Sequence, residues 1–445
     1  MEARRQKIDI SSHIYYDLTR GSYRKKRGST RDFIELQPTA VKDALVNTPQ
    51  ITFEITDACN LECRYCGYGA YYNFYDKRES KMLELGKAIR FLNFMMELWN
   101  SELNNSFGQK VYIGFYGGEP LLNMSFIEGV VDYIGQNKCS NRDFVFSMTT
   151  NAMLLDRYVD YLQAHDFHLL ISLDGGELNN SYRVNKKGQG VFERVVKNVE
   201  ILRSKYPAYF NDRVNFNSVL HNRNSVAEIY NYFRDNYGKL PSIGELNNVG
   251  IRPDIVEEFN KAYRNAYESL HQSENYEVIE KEMFLRLGSS QSRAFFLQQN
   301  SGYSYNNYLD LLFEKKKAGR IPTGTCLPFS NKVFITVNGK ILPCERVGHR
   351  FALGYISEDE VTIDYEAIAI RYNGYYAKLK QQCSTCYNVD GCVQCIFNLA
   401  DIESQPICFG HMDNKSFSEY ATHHIDYLRT NPEEYYKILE ELIID

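Results

Sequence analysis

Three cysteines near the start of the chain have a spacing that suits a metal site. Cys59, Cys63 and Cys66 occupy the stretch CNLECRYC, and neither a further cysteine nor any histidine follows within seventy residues. Clustered thiolates select zinc or iron–sulfur clusters, and a closed zinc site needs four ligands. A single pair of cysteines would favour zinc. Three cysteines without a fourth favour an iron–sulfur cluster whose remaining iron takes a ligand from outside the protein.

A second group of seven cysteines lies between residues 326 and 408. Cys326 and Cys344 flank two alternating runs joined by Asn338-Gly339, a strong hairpin signal that predicts positive φ at both turn residues. The hairpin would bring these two cysteines near one site. Clustering on this scale predicts metal binding, with a ribbon that holds two zinc ions as the alternative. The remaining five are Cys383, Cys386, Cys392, Cys395 and Cys408.

The first cysteines directly follow a predicted strand at 51–56, whose residues alternate and are β-branched. An amphipathic helix is predicted from Met82 to Trp99, and another helix from Ser125, with Glu128 completing a capping box. Six strand–helix units predict a parallel sheet with helices outside it and chemistry at the carboxyl ends of the strands. The further strands are predicted at 110–116, 143–150, 167–174, 213–220 and 243–251, with helices at 154–164, 190–205 and 224–237.

A glycine pair follows the second predicted strand, in the stretch YGGEPLLN. Gly117 and Gly118 would let the backbone approach a ligand closely, and Glu119 could receive an ammonium group. Alone, this stretch is no more than a turn before a helix. Combined with the cysteine loop at the same edge of the sheet, it predicts a cofactor site.

Composition narrows the compartment and the classes of partner. The net charge is −5 at pH 7, so bulk charge favours neither nucleic acid nor an anionic membrane. The N-terminal residues lack the apolar core of a signal peptide, and no run approaches a membrane span. We therefore expect a cytoplasmic, reducing compartment in which the eleven cysteines do not form disulfides. A basic run at 20–31 predicts a solvated loop, or a segment that docks an acidic leader peptide.

At these motifs the sequence resembles the radical S-adenosylmethionine (SAM) enzymes. The cysteine triplet, with Tyr65 as its aromatic residue, matches the motif that holds a [4Fe–4S] cluster in that family. The resemblance implies that the amino and carboxylate groups of SAM bind the fourth iron, and that Gly117–Glu119 contact the amino group. The stretches TTNAMLL and ISLDGGELNNSYR resemble later strand ends of the family. They make Asn151, Ser172 and Arg183 candidate contacts to SAM, although the usual TNG is TNA here.

The resemblance also implies the chemistry. One-electron reduction of the sulfonium releases methionine and a 5′-deoxyadenosyl radical, which takes a hydrogen atom from an unactivated carbon. An electron donor such as ferredoxin or flavodoxin is then an expected partner.

The second cysteine group resembles the SPASM extension, which follows the barrel in peptide-modifying members of the family. It implies two auxiliary [4Fe–4S] clusters, and hence three clusters in all. Cys383, Cys386, Cys392 and Cys408 would close one auxiliary cluster, while Cys326, Cys344 and Cys395 would hold the other. The second would then have one iron open to an outside ligand, a substrate thiolate first, with Glu345 as a candidate within the protein. Cys139 is expected to be an inert structural thiol.

We therefore expect an α/β fold with a partial (β/α)6 TIM-like barrel followed by a small cysteine-rich α+β domain. The predicted segments are an N-terminal extension at 1–50, the barrel at 51–251, a helical bridge at 252–321, the SPASM domain at 322–412 and a helical tail at 413–445.

The predicted function is maturation of a ribosomally made precursor peptide by a crosslink, with a thioether favoured and a carbon–carbon bond next. Two alternatives stay open. One is sulfatase-type oxidation of Cys or Ser to formylglycine, which the missing eighth SPASM cysteine disfavours. The other is a non-catalytic protein that only binds precursor, which would have no need of the cysteine triplet.

Overall fold

The structure is a computed structural model that describes residues 14, 33–73, 75–106, 108–137, 139, 141–283, 288–301 and 321–442. The basic run at 20–31 and parts of the helical bridge expected at 252–321 lie outside these residues. The chain divides into two compact units. The first, called the sheet unit below, comprises Gln37–Arg286 and Cys326–Ala369; the second, called the helical unit, comprises Met1–Leu36, Leu287–Thr325 and Ile370–Asp445.

The sheet unit is built on one sheet, which has ten strands within the described residues in the order β10-β9-β8-β7-β1-β2-β3-β4-β5-β6. Strands β1 to β6 run parallel, which confirms the predicted α/β class. They are β1 Gln50–Thr56, β2 Lys110–Gly117, β3 Asp143–Thr150, β4 His168–Ser172, β5 Val214–Leu220 and β6 Ser242–Glu245.

Four short strands extend this sheet beyond β1. Because β7 pairs in parallel with β1, residues of the predicted SPASM segment lie in the same compact unit as the barrel strands. Strands β7 to β10 are joined by antiparallel pairing. They are β7 Val333–Ile335, β8 Lys340–Leu342, β9 Gly354–Ile356 and β10 Val361–Ile363.

Helices connect the strands and continue beyond them. None in the described part of the chain is long and apolar enough to cross a membrane. In the sheet unit they are Pro38–Val46, Leu85–Trp99, Met124–Gln136, Leu155–Ala164, Phe192–Lys205, Pro207–Arg213, Val226–Tyr237, Val256–Ala262, Ala266–His271 and Tyr276–Glu282. Helix Tyr365–Thr385 runs from the sheet unit into the helical unit, which also contains Gly288–Asn300, Asn414–Thr430 and Pro432–Leu442.

The helical unit is held by aromatic and charged contacts between its helices. The ring of Phe296 stacks on His424 with centroids 4.7 Å apart. Arg293 forms an ion pair with Glu434 and lies over the ring of Tyr427 at 4.1 Å. These contacts join helix Gly288–Asn300 to both C-terminal helices, so the tail predicted as helical packs within this unit.

Strand β1 alternates as predicted, but its inner face is polar. Ile51, Phe53 and Ile55 are fully buried, and Phe53 meets Phe126 of helix Met124–Gln136 edge to face at 6.0 Å. Successive side chains of a strand point to opposite faces, so Glu54 points to the inner face of the sheet. Burial raises the pKa of this carboxyl to about 7, although a hydrogen bond from the Val337 amide at 2.9 Å opposes the shift.

Glu54 gives the protein a predictable pH dependence. Its pKa in the folded protein lies above the ordinary 4.5, so the folded state binds more protons and the free energy of unfolding falls as pH rises from 4.5 through about 7. Glu54→Gln removes this penalty. The variant should match wild type below pH 4.5 and exceed its stability above pH 7, by on the order of 3 kcal/mol. Urea unfolding at matched pH measures the difference; equal stabilities at high pH would contradict it.

Three local predictions are wrong: the extent of the sixth strand, the capping box at Ser125 and the turn of the hairpin. The strand expected at 243–251 ends at Glu245, because Asn247 accepts a hydrogen bond from the Val249 amide at 3.1 Å and Gly250 has φ +72°, which turns the chain. The helix expected from Ser125 forms as Met124–Gln136, but it has no side-chain cap. Ser125 lies inside the first helical turn, whereas an N-cap residue needs extended backbone, so the capping box does not form.

The hairpin between β7 and β8 also differs from its prediction. Among its turn residues only Gly339 has positive φ, at +78°. The Thr336 carbonyl accepts from the Gly339 amide at 2.8 Å, and the Thr336 amide donates to the Lys340 carbonyl at 2.9 Å. This is a turn closed by one left-handed glycine, a longer connection than the two-residue loop expected from Asn338-Gly339.

Candidate functional site

The loop after β1 brings the three predicted cysteines together. The Cys66 amide donates to the Cys63 carbonyl at 3.1 Å, and the Leu61 amide points at the Cys59 sulfur at 3.4 Å. Burial raises the pKa of the Cys63 thiol to about 12, and its neighbours Cys66 and Cys59 add to that rise. The thiols are therefore close enough to influence one another's charge.

This arrangement fits a cluster. Across the described residues, no three cysteine, histidine, aspartate or glutamate side chains lie close enough to share a single metal ion. A [4Fe–4S] cluster binds its thiolates on different irons, so its cysteines need not converge on one point. Three neighbouring thiols at the carboxyl end of a strand meet that requirement.

The glycine pair of β2 packs against the start of the cysteine loop. The Gly118 amide donates to the Thr56 carbonyl at 2.8 Å, and the Glu119 amide donates to the Ala58 carbonyl at 2.9 Å. Gly117 has φ +130°, and a Cβ on Gly118 would lie 1.9 Å from the Ala58 carbonyl oxygen. Glycine is required because two backbone segments meet here.

Gly118→Ala is therefore expected to displace Ala58 and the adjoining cysteine loop. Overpacking against backbone costs about 1–3 kcal/mol, so the variant should melt earlier and hold less iron after reconstitution. Gly135→Ala is the matched control, because nothing lies within 4 Å of its added Cβ. Equal iron content in wild type and Gly118→Ala would contradict this packing role.

Glu119 is fully buried between the loops that follow β1 and β3. Its carboxylate accepts from the Thr150 hydroxyl at 2.6 Å, the Asn151 amide at 2.8 Å and the Leu121 amide at 3.2 Å. Burial raises its pKa to about 7, against these hydrogen bonds. The carboxylate thus joins the ends of β2 and β3, and its contact with SAM stays a prediction.

Asn151 contacts the cysteine loop directly. Its side-chain amide donates to the Asn60 carbonyl oxygen Oδ1 at 2.8 Å and lies 3.7 Å from the Cys59 sulfur. The next residue, Ala152, has φ +60° and is fully buried. This left-handed position is where the TNG motif has glycine, and alanine is a costlier residue there.

Asp174 was missed in the sequence, and it organises the far side of the cysteine loop. It is fully buried and accepts two hydrogen bonds at 3.0 Å from Nε and Nη2 of Arg183, and one from the Tyr65 hydroxyl. Burial alone would raise the pKa of Asp174, but the Arg183 charge and hydrogen bonds from His221, Arg183 and Tyr65 hold it below its usual range. The signal was present: a charged residue directly after an apolar strand needs a partner.

Ser172 is the last residue of β4 and pairs with Asn217 of β5. The structure thus places the predicted residues Tyr65, Asn151, Ser172 and Arg183 at the carboxyl ends of the strands. Arg183 differs from the expectation in one respect. The Nε and Nη2 atoms of its guanidinium already donate hydrogen bonds to Asp174.

Four predicted ligands come together in the helical unit. Cys383, Cys386, Cys392 and Cys408 line one cavity of about 160 Å³. Burial is the main cause that raises the pKa of the Cys383 thiol to about 12, and the three other thiols add to it. A Cβ on Gly324 would lie 1.9 Å from the Cys392 carbonyl oxygen, so glycine permits this approach. Four thiols around one cavity fit a closed cluster.

The other predicted auxiliary ligands are divided between the units. Cys326 and Cys344 belong to the sheet unit, and Cys395 belongs to the helical unit. The Cys326 sulfur accepts from the Asn331 amide at 3.1 Å. Glu345 pairs with Lys332 at 2.9 Å and accepts from the Cys344 thiol at 3.3 Å. Cys139 follows helix Met124–Gln136 and is half-buried.

A cavity of about 350 Å³ lies on the inner face of the sheet. Side chains from β1 to β5 line it together with the Lys332–Glu345 pair. Its lining combines the charged side chains of Arg213, Lys332 and Glu345 with apolar and neutral polar ones, which include Thr52, Tyr116, Thr149, Leu170 and Asn215.

Comparison with known proteins places these motifs in a family. Residues 53–235 match the radical SAM superfamily. An uncharacterized protein of Methanocaldococcus jannaschii is 29% identical over 241 residues, 49% of this chain and 77% of that protein. The radical SAM cyclopropyl synthase TigE of Paramaledivibacter caminithermalis is 24% identical over 219 residues, 48% of this chain and 43% of that protein. A cysteine-type anaerobic sulfatase-maturating enzyme of Clostridium novyi is 28% identical over 181 residues, 40% of this chain and 45% of that protein. The chain thus spans less than half the length of the last two relatives.

Solved structures share the fold. Native anSMEcpe with bound AdoMet has a TM-score of 0.54 and 19% identity, covering 87% of this chain and 99% of that one. The same protein with AdoMet and the Cp18Cys peptide has a TM-score of 0.52 and 20% identity, covering 86% and 99%. The family match agrees with the predicted radical SAM class, whose members use a [4Fe–4S] cluster and SAM. Residues 53–235 therefore form a radical SAM domain.

Proposed function

We propose that the chain is a radical SAM/SPASM maturase that installs a crosslink in a ribosomally made precursor peptide. A thioether is favoured, and a carbon–carbon bond is next. The observation that carries the proposal is the presence of two thiol sites, the triplet after β1 and the four cysteines around the 160 Å³ cavity. A radical SAM enzyme without the auxiliary clusters of peptide-modifying enzymes would need only the cysteine triplet.

Some residues of the chain would hold the cluster, and others fix the position of the cysteine loop. Cys59, Cys63 and Cys66 would hold the SAM-binding cluster, which would supply the electron for reductive cleavage of SAM. The glycine pair and Glu119 fix the loop at its strand end, and Asn151 contacts Cys59 and Asn60 from β3. Tyr65 is held from the other side by Asp174. These contacts would keep the three thiols in one geometry, and exclusion of water would protect the radical.

The names of two relatives favour a modifying enzyme. One is named a cysteine-type sulfatase-maturating enzyme and another a cyclopropyl synthase. Both names describe modifying enzymes, and the first keeps formylglycine formation as the second candidate function. We further propose a reducing, cytoplasmic setting in which ferredoxin or flavodoxin donates the electron.

We assign the second auxiliary cluster to Cys326, Cys344 and Cys395, with a substrate thiolate as its outside ligand. Glu345 is the competing ligand from the protein. Its carboxylate forms an ion pair with Lys332, and both side chains are about three-quarters buried. Moving Glu345 onto iron would leave the Lys332 charge without its partner, which is costly in a buried setting. That cost favours the outside ligand.

We propose the 350 Å³ cavity, which lies deeper in the sheet than the strand ends that carry the cysteine loop, as a binding place for a side chain of the peptide. Its size lies near the lower end of ligand pockets, which hold about 300–1,000 Å³. Leu170→Phe should fill part of it. Peptide modification should then fall roughly tenfold or more, while SAM cleavage without peptide continues. Leu178→Phe is the control, because that side chain is 83% exposed. Unchanged peptide turnover in Leu170→Phe would exclude this cavity.

The proposal is tested with a precursor peptide encoded beside this chain, SAM and dithionite. Mass spectrometry should show loss of two hydrogen atoms from the peptide. If a Cys→Ser peptide is not modified, the product is a thioether; if it still is, the product is a carbon–carbon bond. Replacement of a Cys or Ser side chain by an aldehyde would instead establish formylglycine formation. SAM cleavage with every candidate peptide left intact would contradict the maturase proposal.

A further inference from the structure

Arg78 is a half-buried arginine with two buried donor atoms that no side chain or backbone group of the described residues accepts from. Its Nε and Nη2 atoms are buried and have no hydrogen-bond partner within the described chain. Leaving charged donors buried and unpaired is expensive, and native proteins usually pair them. Such a residue either binds something in the working protein or weakens the fold.

The position of Arg78 indicates what it binds. A Cβ built on Gly118 would lie 3.0 Å from the Arg78 Nη2 atom, so the guanidinium lies against the glycine pair. The charge of Arg78 also acts on the Cys59 thiol. Its guanidinium carbon lies 4.4 Å from the centre of the Tyr68 ring, two residues after Cys66. Arg78 therefore borders the cysteine loop and the glycine pair together.

The geometry of its donors points to a carboxylate. Nε and Nη2 form one edge of the guanidinium, and that edge binds carboxylates through two parallel hydrogen bonds. Arg183 uses the same two atoms to bind Asp174 at 3.0 Å each. Arg183 is thus already neutralised by an internal acid, whereas Arg78 presents the same edge without one.

Glu54 is an acid whose charge interacts with that of Arg78. The Arg78 charge opposes the rise of the Glu54 pKa, but burial still takes that pKa to about 7. Glu54 is therefore only partly ionised at neutral pH. It does not hydrogen-bond to Arg78 in the structure, so it cannot replace a bound anion.

We propose that Arg78 binds the carboxylate of the methionyl group of SAM. This assignment rests on the proposed function and names a residue that the family motifs do not include. It also separates two roles: Arg183 positions Tyr65 through Asp174, and Arg78 contacts the cofactor. A charge-assisted pair of hydrogen bonds predicts that Arg78→Met weakens SAM binding roughly ten- to hundredfold.

The experiment compares SAM with decarboxylated SAM, which lacks the carboxylate. Dissociation constants are measured on the reconstituted protein for wild type, Arg78→Met and Arg78→Lys. Wild type should bind SAM more tightly than decarboxylated SAM, and Arg78→Met should lose most of that preference. Arg78→Lys keeps the charge but lacks the edge with two donors. Its preference for SAM should lie between the preferences of wild type and Arg78→Met. Lys77→Met, an exposed neighbour in the same loop, should behave as wild type.

Melting temperatures without SAM separate cofactor binding from a structural role. A residue kept for its ligand should leave the melting temperature unchanged or raised when replaced. An unchanged preference for SAM in Arg78→Met, or equal losses for both compounds together with a lower melting temperature, would overturn the assignment. If Arg78→Met does not fold, the assignment is tested on Arg78→Lys, by the ratio of its dissociation constants for decarboxylated SAM and SAM. A wild type that binds no SAM would instead overturn the proposed function, and the assignment with it.

Discussion

Changing Cys59, Cys63 and Cys66 together to alanine is expected to abolish formation of 5′-deoxyadenosine from SAM. The reason is that the three thiols lie in one loop at the end of β1 and are the proposed ligands of the SAM-binding cluster. The variant should also lose about four iron atoms per chain, the content of one [4Fe–4S] cluster. The iron held by the proposed auxiliary ligands should remain.

The control for this variant is Cys139→Ala. Cys139 lies after helix Met124–Gln136, outside the proposed ligand sets, so its loss should change neither iron content nor SAM cleavage. Iron analysis and chromatography of the nucleoside products measure both quantities. Continued 5′-deoxyadenosine formation by the triple variant would show that these cysteines do not hold the SAM-binding cluster.

Asp174→Asn should produce the largest loss of stability of any single charge change at the site. Asp174 is fully buried and Arg183 nearly so, and the change leaves the guanidinium charge unpaired. Removing one partner of a buried ion pair typically costs 3–5 kcal/mol, so a loss of about that size is expected. Tyr65 also loses its charged acceptor, and iron incorporation at the cysteine loop should fall with the stability.

Asp156→Asn is the matched control for this pair. Asp156 binds Arg194 at 2.8 Å, but both side chains are partly exposed. Exposed pairs contribute about 0–1 kcal/mol, so the control should change stability little. Denaturant unfolding of the two variants measures the contrast. If Asp174→Asn is no more destabilising than Asp156→Asn, the buried pair does not anchor the cysteine loop.

Much of the sheet could be predicted from the sequence, because its strands carry strong local signals. The alternation in 51–56 and the apolar runs at 110–116 and 143–150 each appear as strands within one residue of the prediction. The cysteine loop followed from spacing and from its place after a strand. Where turn geometry decided the outcome, as after Glu245 and at Gly339, residue types alone did not reveal it.

The sequence could show that Asp174 needs a partner, but it could not show which residue that partner is. Asp174 and Arg183 are nine residues apart, and nothing in their types shows that both are buried. Likewise, Gly117 and Gly118 suggested close approach to a ligand, whereas the structure shows close approach to the backbone of Thr56 and Ala58. Burial and long-range contact depend on the folded chain, and the sequence supplies only the candidates.

The central claim is that the loop after β1 holds a cluster that reduces SAM. Its most direct measurement is the 5′-deoxyadenosine formed when the anaerobically reconstituted wild-type protein is reduced with dithionite and mixed with SAM. The account predicts 5′-deoxyadenosine and methionine in equal amounts, with no such products from the triple cysteine variant. Full iron incorporation into the wild type without any 5′-deoxyadenosine would contradict it.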